Sequence, residues 1–316
     1  MRQKKPVFCL GLTPALQRTV LVSNLTLGEV NRTRQVMESA GGKMVNTARA
    51  LATLGNEVMV AGFNGGDTGR RILECLKVYG IENKFTEMSR LTRTCTTLLD
   101  QHSKTVTEIV EEAPPIELPE VKKMSAHCSS LIPKSSVLVI AGTLPAYVSD
   151  HFYIKFAEDA QRAKVPLVID SHGTALLHTL ATRPLLAKMS VMELGVTFGT
   201  KMTSESKIAD GMKSLYARGA RNVMITADSG GGYFYNEDGL RHFESAKVRN
   251  VLNPIGSGDC ATAGFVDAWL RKLPLDECMR FAMACGGANV ESLLPADFAV
   301  RRVNVLYKEL LKRRQS

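Results

Sequence analysis

The chain has 316 residues, 45% of them hydrophobic, enough to bury a large core as one domain or as one domain with an insertion. A formal net charge of +9 would suit nucleic acid, anionic substrates or no specific partner, but the basic residues are scattered and no RNP, zinc-finger or helix-turn-helix pattern accompanies them, which sets nucleic acid aside. No apolar run is long enough to span a membrane, and seven cysteines without CxxC or paired Cys/His spacing argue against a disulfide framework and a zinc site, pointing instead to free thiols in a reducing cytoplasm.

The opening MRQKKPVFCLGLTP has a basic head but only a short apolar stretch, Val7 to Leu12, broken by Thr13-Pro14; a buried first strand fits better than a signal peptide. Residues 19–36 are polar, β-branched and alternating, as hairpin strands are. A helix over 45–54, a strand in EVMVAGF and a helix over 68–79 follow. Residues 92–110, TRTCTTLLDQHSKTVTEIV, again alternate, and EEAPPIELPE is a Pro-rich connector. Strands in SSVLVIAG, VPLVID and NVMITA then alternate with helices over 150–164, 206–218, 261–271 and 275–292. The last segment sets Val303, Val305, Leu306, Leu310 and Leu311 at helical spacing among Arg301, Arg302, Lys308, Lys312, Arg313 and Arg314, a terminal helix with a solvated basic face.

This succession predicts an α/β fold, a doubly wound, mostly parallel sheet flanked by helices. One domain over 1–316 is expected, with a small β-sheet lid inserted at about 15–36 and 92–111. Ligands of such sheets bind beyond the carboxyl ends of the strands. GGDTG, AGTLP, DSHG and ADSGGG all fall there.

The stretch NPIGSGDCATAGF, residues 253–265, has two readings. Asp259 is a plain helix cap, or the amides of a helix start hold a phosphate while Asp259 handles a proton. GSGDCA also fits G-x-G-x-x-A, but a dinucleotide fingerprint opens the first βαβ unit and this one lies near the C-terminus. The stretch Ala40-Gly41-Gly42-Lys43-Met44 is no Walker A loop, because Met44 stands where Ser or Thr is required.

In order along the chain, LTPALQRT, SAGGKMVNTARALATLG, GFNGGDTG, LTRTCT, TEIVEEAPP, AGTLPAYV, VIDSHGTAL and NPIGSGDCATAGF resemble the motif series of the PfkB branch of ribokinase-like carbohydrate kinases, in particular its phosphofructokinase and tagatose-6-phosphate kinase members. The resemblance covers nearly the whole chain. It implies an ATP- and Mg2+-dependent kinase acting on a phosphorylated ketohexose, with Asp259 as general base and the backbone of Gly256, Ser257 and Gly258 as anion hole. It further implies sugar contacts from Gln17, Gly41, Gly42, Lys43 and Asn46, with Arg93 on the sugar phosphate. Gly66 and Asp67 are either further sugar contacts or turn residues.

On the nucleotide side the resemblance implies Lys188, Ser190, Thr226, Gly231 and Asn289, and gives Glu193 to the magnesium site through water. The segment departs from the family pattern: Ser190 and Met189 replace the asparagine and proline of KPNxxEL, and Asp228 stands where glycine is usual. Gln17 stands where the branch has an aspartate, which leaves the identity of the sugar open. A homodimer through the lid is compatible with the resemblance. Two other classes compete: a non-catalytic sugar-phosphate sensor on the same fold and, third, a nicotinamide-dependent dehydrogenase.

Overall fold

A computed structural model describes residues 5–146 and 148–313. The chain opens with β1 (Val7–Leu10), β2 (Ala15–Val22), β3 (Gln35–Gly41), α1 (Lys43–Thr53), β4 (Val58–Ala61), β5 (Phe63–Asn64) and α2 (Gly66–Val78). Next come β6 (Glu82–Asn83), β7 (Thr86–Glu87), β8 (Thr94–Asp100), β9 (Val106–Val110), α3 (Leu118–Leu131), β10 (Val137–Ala141), α4 (Phe152–Arg162), β11 (Leu167–Asp170) and α5 (Gly173–Leu177). The remainder is β12 (Leu186–Ser190), α6 (Val191–Phe198), α7 (Glu205–Ala217), β13 (Val223–Thr226), β14 (Gly232–Asn236), β15 (Gly239–Phe243), α8 (Ser257–Leu270), α9 (Leu275–Asn289) and α10 (Val300–Lys312).

Among the described residues the main sheet has nine strands in the order β15-β14-β13-β12-β11-β10-β1-β4-β6. Every pairing from β12–β13 through to β4–β6 is parallel, and only β13–β14 and β14–β15 are antiparallel. The central strands are short apolar runs because both faces are covered. In β1, Val7 and Cys9 join the core beneath α1, α8, α9 and α10, while Phe8 and Leu10 join the core beneath α3, α4, α6 and α7. All four are at most 1% exposed. Truncating a buried side chain of the size of Phe8 to alanine would cost about 3–5 kcal/mol.

From β1 the chain moves outward to β4 and β6, then returns to lay β10 on the other flank of β1. The reversal between β1 and β10 is the switch point at which sheets of this kind leave a crevice.

A second sheet, β3-β2-β8-β9, stands apart from the main one. The two stretches expected to form a small separate sheet do so as one layer: β2 pairs antiparallel with β3 and parallel with β8, and β8 pairs antiparallel with β9. Strand β3 runs on to Gly41, past the predicted limit at 36, so its end delivers the chain directly to α1.

Two elements differ from the sequence reading. The Pro-rich connector ends sooner than expected: Pro119 sits in the first turn of α3, where its missing N–H costs nothing, and the Glu120 carboxylate accepts from the Glu117 amide. The antiparallel hairpin β14–β15 was not anticipated, although its Asp238-Gly239 turn is a hairpin signal. The expected terminal helix is α10, with Val303, Leu306 and Leu310 buried, whereas Val305, expected on the apolar side, is 46% exposed. Among the described residues, no helix is long and apolar enough to cross a membrane.

Candidate functional site

The N-terminus of α8 lies over the carboxyl ends of β11 and β12. Gly256 caps it with φ 83°, a left-handed conformation that glycine adopts without a Cβ penalty. Asp259 is therefore in the first turn and is not the cap, which removes the plain-cap reading of that residue. Ser257 donates its amide to the Pro254 carbonyl (3.2 Å). Among the described residues, no group accepts from the amides of Gly256 and Gly258. A Cβ on Gly258 would lie 2.8 Å from Lys188 Nζ, so an ammonium stands directly beside this helix start.

Asp259 is 6% exposed, and its Oδ2 accepts from Asn46 Nδ2 at 2.8 Å. Burial, helped by the nearby charge of Asp170, pushes its carboxyl up to about 7; Lys188, Lys43 and the Asn46 hydrogen bond pull the other way without prevailing. Asn46 lies in α1, four residues past Gly42, and its Oδ1 is buried without a partner. Gly42 caps α1 at φ 89°, and a Cβ there would sit 2.7 Å from the Thr13 carbonyl. Gly41 backs onto Gln17, whose Cβ would be 2.9 Å from an added one.

Behind Asp259 lies a lattice of alternating charges. Asp170, at the end of β11 and fully buried, accepts from Lys43 Nζ on Oδ1 (2.9 Å) and from Lys188 Nζ (2.9 Å) and Thr262 Oγ1 (2.8 Å) on Oδ2. Lys43 Nζ also donates to Glu193 Oε1 (2.5 Å), so a single ammonium bridges two carboxylates. Burial works against ionising Asp170, but the two lysines hold its carboxyl below the usual range. Burial likewise opposes ionisation of Glu193, and His172, Lys43 and Lys188 overcome it. Lys43 is held charged in spite of its burial by Asp170, Glu193 and Asp259. Lys43 was expected on the sugar side; here its ammonium faces the Asp170–Glu193 pair.

Glu193 belongs to a reciprocal cap at the start of α6. Ser190 Oγ accepts from the Glu193 amide (3.2 Å), and Glu193 Oε2 accepts from the Ser190 amide (2.8 Å). The serine at 190 therefore does what a good N-cap does. Its position also brings His172 Nδ1 to 3.4 Å from Glu193 Oε1.

On the side of the small sheet, Gln17 is 4% exposed and donates through Nε2 to Thr97 Oγ1 at 2.7 Å. Ser39, in register with Gln17, and Thr19 carry buried hydroxyls without a partner. Arg93 spreads its guanidinium over two carbonyls, Glu111 (3.0 Å from Nη1) and Thr13 (3.0 Å from Nη2). Arg18 is exposed and pairs with Glu38 at 3.5 Å. Asp67 is exposed and pairs with Arg70, one turn on in α2, which fits the turn reading of that segment.

Thr226 ends β13, opposite Gly232. Gly231 follows in the connection to β14, pressed against the Phe243 carbonyl. Asp228 is exposed in the same turn. Asn289 departs from the expected pocket lining. It is fully buried at the end of α9; Nδ2 donates to the Ile255 carbonyl (2.9 Å) and Ser257 Oγ (3.1 Å), and Oδ1 accepts from the Ala296 amide (2.7 Å). Its side chain is consumed in holding the loop that leads into α8.

The sequence reading did not single out Asp170, Thr262 or Thr97; it took His172 of DSHG as a loop residue near the site rather than a base, and His172 lies beside Glu193. Asp170 carried the strongest signal: a carboxylate that ends an apolar strand at the sheet edge where ligands bind. Thr262 follows Gly258 by one helical turn, and Thr97 lies on the Gln17 face of β8.

The sequence model described as "pfkB family carbohydrate kinase" matches residues 4–299. The chain is 29% identical over 286 residues to the 1-phosphofructokinase of Bacillus subtilis, covering 90% of this chain and 93% of that protein. It is 26% identical over 310 residues to the tagatose-6-phosphate kinase of Staphylococcus epidermidis, covering 96% and 98%. Among solved structures, the Escherichia coli phosphofructokinase-2 in complex with potassium superposes with a TM-score of 0.88 at 21% identity, over 97% of this chain and 99% of that one. The Arabidopsis thaliana ribokinase complexed with ribose and ATP superposes with a TM-score of 0.74 at 17% identity, over 97% and 99%. At such identities these likenesses establish the fold, which is ribokinase-like.

Proposed function

The chain belongs to the pfkB family of carbohydrate kinases, and from that membership we propose that it transfers the γ-phosphoryl group of ATP to a hydroxyl of a phosphorylated ketohexose, with Asp259 as the general base. The observation that carries this reading is the placement of Asp259. Its buried carboxyl, with a pKa near 7, lies in the first turn of a helix whose leading amides, those of Gly256 and Gly258, donate to no acceptor among the described residues. A base is most effective when its pKa lies near the working pH.

In this reading Asp259 takes the proton of the acceptor hydroxyl as the oxygen attacks the γ-phosphorus. The new O–P bond forms, the bond to the β-phosphate oxygen breaks, and ADP departs with the displaced electron pair. The amides of Gly256 and Gly258, with Ser257 between them, face the charge that develops on the moving phosphoryl group, and the α8 dipole adds partial positive charge. Lys188, fixed against Asp170 beside Gly258, supplies a full charge at the same place. Asn46 orients Asp259 and keeps its Oδ1 for a sugar hydroxyl.

Magnesium, when bound, supplies charge neutralisation on the phosphates. The donor set fits it. Asp170 and Glu193 are ionised carboxylates close enough to share one ammonium, the arrangement a hard divalent cation takes up through oxygen and water. Glu193 would hold the ion through water, and Lys43, released from the pair, would be free to turn towards the sugar. Thr226 and Gly231 line the nucleotide side, and Ser190 serves it through the cap that fixes Glu193. Asn289 is assigned to positioning the loop ahead of α8 rather than to contact with adenine.

Arg93 is assigned to the sugar phosphate, with Gln17, Gly41 and Gly42 around the sugar, and the four-stranded sheet to the role of lid and of contact surface in a homodimer. The test is ADP release from ATP across a panel of free and phosphorylated ketohexoses, with wild type and Asp259→Asn. Turnover with a phosphorylated ketohexose, lost by about 10²–10⁴-fold in the variant while binding persists, is the expected result. Binding without turnover in the wild type would leave the sensor reading in its place.

A further inference from the structure

Away from the charge lattice, the segment ahead of α4 and the end of α5 bring together Asp150, His151 and His178. His178 Nε2 lies 3.3 Å from Asp150 Oδ2, and His151 Nε2 lies 3.7 Å from Asp150 Oδ1. One ligand atom from each residue falls within 4.8 Å of the others. The imidazoles stack with centroids 3.9 Å apart at 29°. Among the described residues this is the only such group of three ligand-bearing side chains.

We propose that Asp150, His151 and His178 form a binding site for a divalent transition-metal ion, with Zn2+ the best match. The spacing is that of a coordination shell: ligands at about 2.0–2.1 Å in a tetrahedron stand roughly 3.3 Å from one another. The His178 Nε2–Asp150 Oδ2 separation of 3.3 Å already has that value, and His151 Nε2 stands 3.7 Å from the other carboxylate oxygen, Oδ1. Two imidazole nitrogens and a carboxylate oxygen suit zinc and its neighbours, whereas magnesium and calcium take oxygen shells. Asp150 and His151 are exposed and His178 is half-buried, so water reaches the remaining position.

The site is separate from the proposed phosphoryl-transfer groups but braces their surroundings. Asp150 and His151 lie on the segment that follows β10, and His178 lies just beyond α5, which follows β11. Those same segments are tied further in, where the Gly142 amide donates to the Asp170 carbonyl (3.0 Å) and Ser171 Oγ to the Gly142 carbonyl (3.1 Å). A bound ion would add an outer cross-link to this inner one, and binding only the folded state it would raise the thermal midpoint.

The experiment uses the full chain, stripped with a chelator, and Zn2+ alone. Calorimetry measures affinity and stoichiometry, Co2+ replaces Zn2+ for its visible ligand-field absorption, and a thermal scan reads the midpoint with and without Zn2+. One ion per chain is expected, undisturbed by excess Mg2+. His178→Ala should weaken binding at least about tenfold, and His151→Ala/His178→Ala should abolish both the cobalt spectrum and the thermal shift. The side chains are at the surface, so circular dichroism should show the variants folded. Absence of saturable Zn2+ binding would overturn the proposal. So would unchanged binding in the double variant, which would put the ion on other residues such as Asp170 and Glu193.

Discussion

Asn46 and Asp259 meet across 213 residues of chain, the amide of one donating to the carboxylate of the other at 2.8 Å. That contact joins the helix that follows the small sheet to the helix that carries the proposed base. Because the hydrogen bond favours the charged carboxylate, it lowers the pH at which the proposed base works, against the larger effect of burial.

The first prediction is a pH profile. With the Asp259 carboxyl near 7 in the free protein, kcat/KM should rise with pH and reach half its plateau near pH 7. Asn46→Ala removes a group that stabilises the carboxylate, so the midpoint should move to higher pH. A profile flat from pH 6 to 8, or one unmoved by Asn46→Ala, would be incompatible with Asp259 as the base.

Stability gives an independent reading of the same group. Its folded pKa is raised to about 7 from the ordinary carboxylate range near 4, so as pH rises from about 4 to about 7 the unfolded chain loses the proton first, and the folded state is progressively destabilised. Asp259→Asn escapes this effect. Its advantage in thermal midpoint over the wild type should be absent below pH 4, open between pH 4 and 7, and stay constant above that range. A difference independent of pH would mean the carboxyl is not perturbed.

Arg93 supplies the third prediction. If its guanidinium binds the sugar phosphate, Arg93→Ala should raise KM for the phosphorylated sugar. One charge-assisted hydrogen bond is worth about 1.5–3 kcal/mol, which corresponds to about tenfold or more. The free sugar should be handled almost as by the wild type. An equal loss on both would assign Arg93 to bracing the Thr13 and Glu111 carbonyls.

Gln17 is committed through Nε2 to Thr97, which leaves its oxygen as an acceptor. An aspartate there would bring a full charge and a shorter arm. Gln17→Asp is therefore expected to shift the ratio of kcat/KM among ketohexose phosphates towards fructose phosphates. Identical ratios in both proteins would show that position 17 does not set specificity.

Asp170→Asn should be costly to the fold itself. Lys188, whose side chain is 3% exposed, would lose its only carboxylate partner among the described residues, and breaking a buried pair costs about 3–5 kcal/mol. Urea titration measures this, and adding Lys188→Met should recover part of the loss. A variant as stable as the wild type would mean that the lattice is solvated.

Much of the fold was legible because its signals are local. The short apolar strands such as VLVIA and LVID, the glycines of GSGD and GGK, and the order of the motifs all lie within a few residues of one another. What was not legible is the pairing of distant residues. Nothing near Lys43 in sequence announces that it will bridge Asp170 and Glu193, because that choice is electrostatic and is settled only when the sheet brings three loops together. Asn289 shows the same limit: a buried asparagine is placed by the donors and acceptors around it, here Ile255, Ser257 and Ala296, and sequence spacing cannot rank these against a ligand. The parallel pairing of β2 with β8 was missed for a related reason, since alternation identifies a strand but not its neighbour.

The long stretch of chain between α1 and α8 governs the order in which their shared core can form. Helix α1 contributes Met44, Val45, Ala48 and Leu51 to a core that it shares with Ala261 and Phe265 of α8 and with α9 and α10. A chain emerging from the ribosome thus presents that apolar stripe uncovered until α8, more than two hundred residues after α1, has been made. Strand β1 likewise waits for β10, far downstream, to pair with it. The core around α1 and β1 therefore closes only through contacts of long sequence separation, and the loop ahead of α8 takes its place together with them.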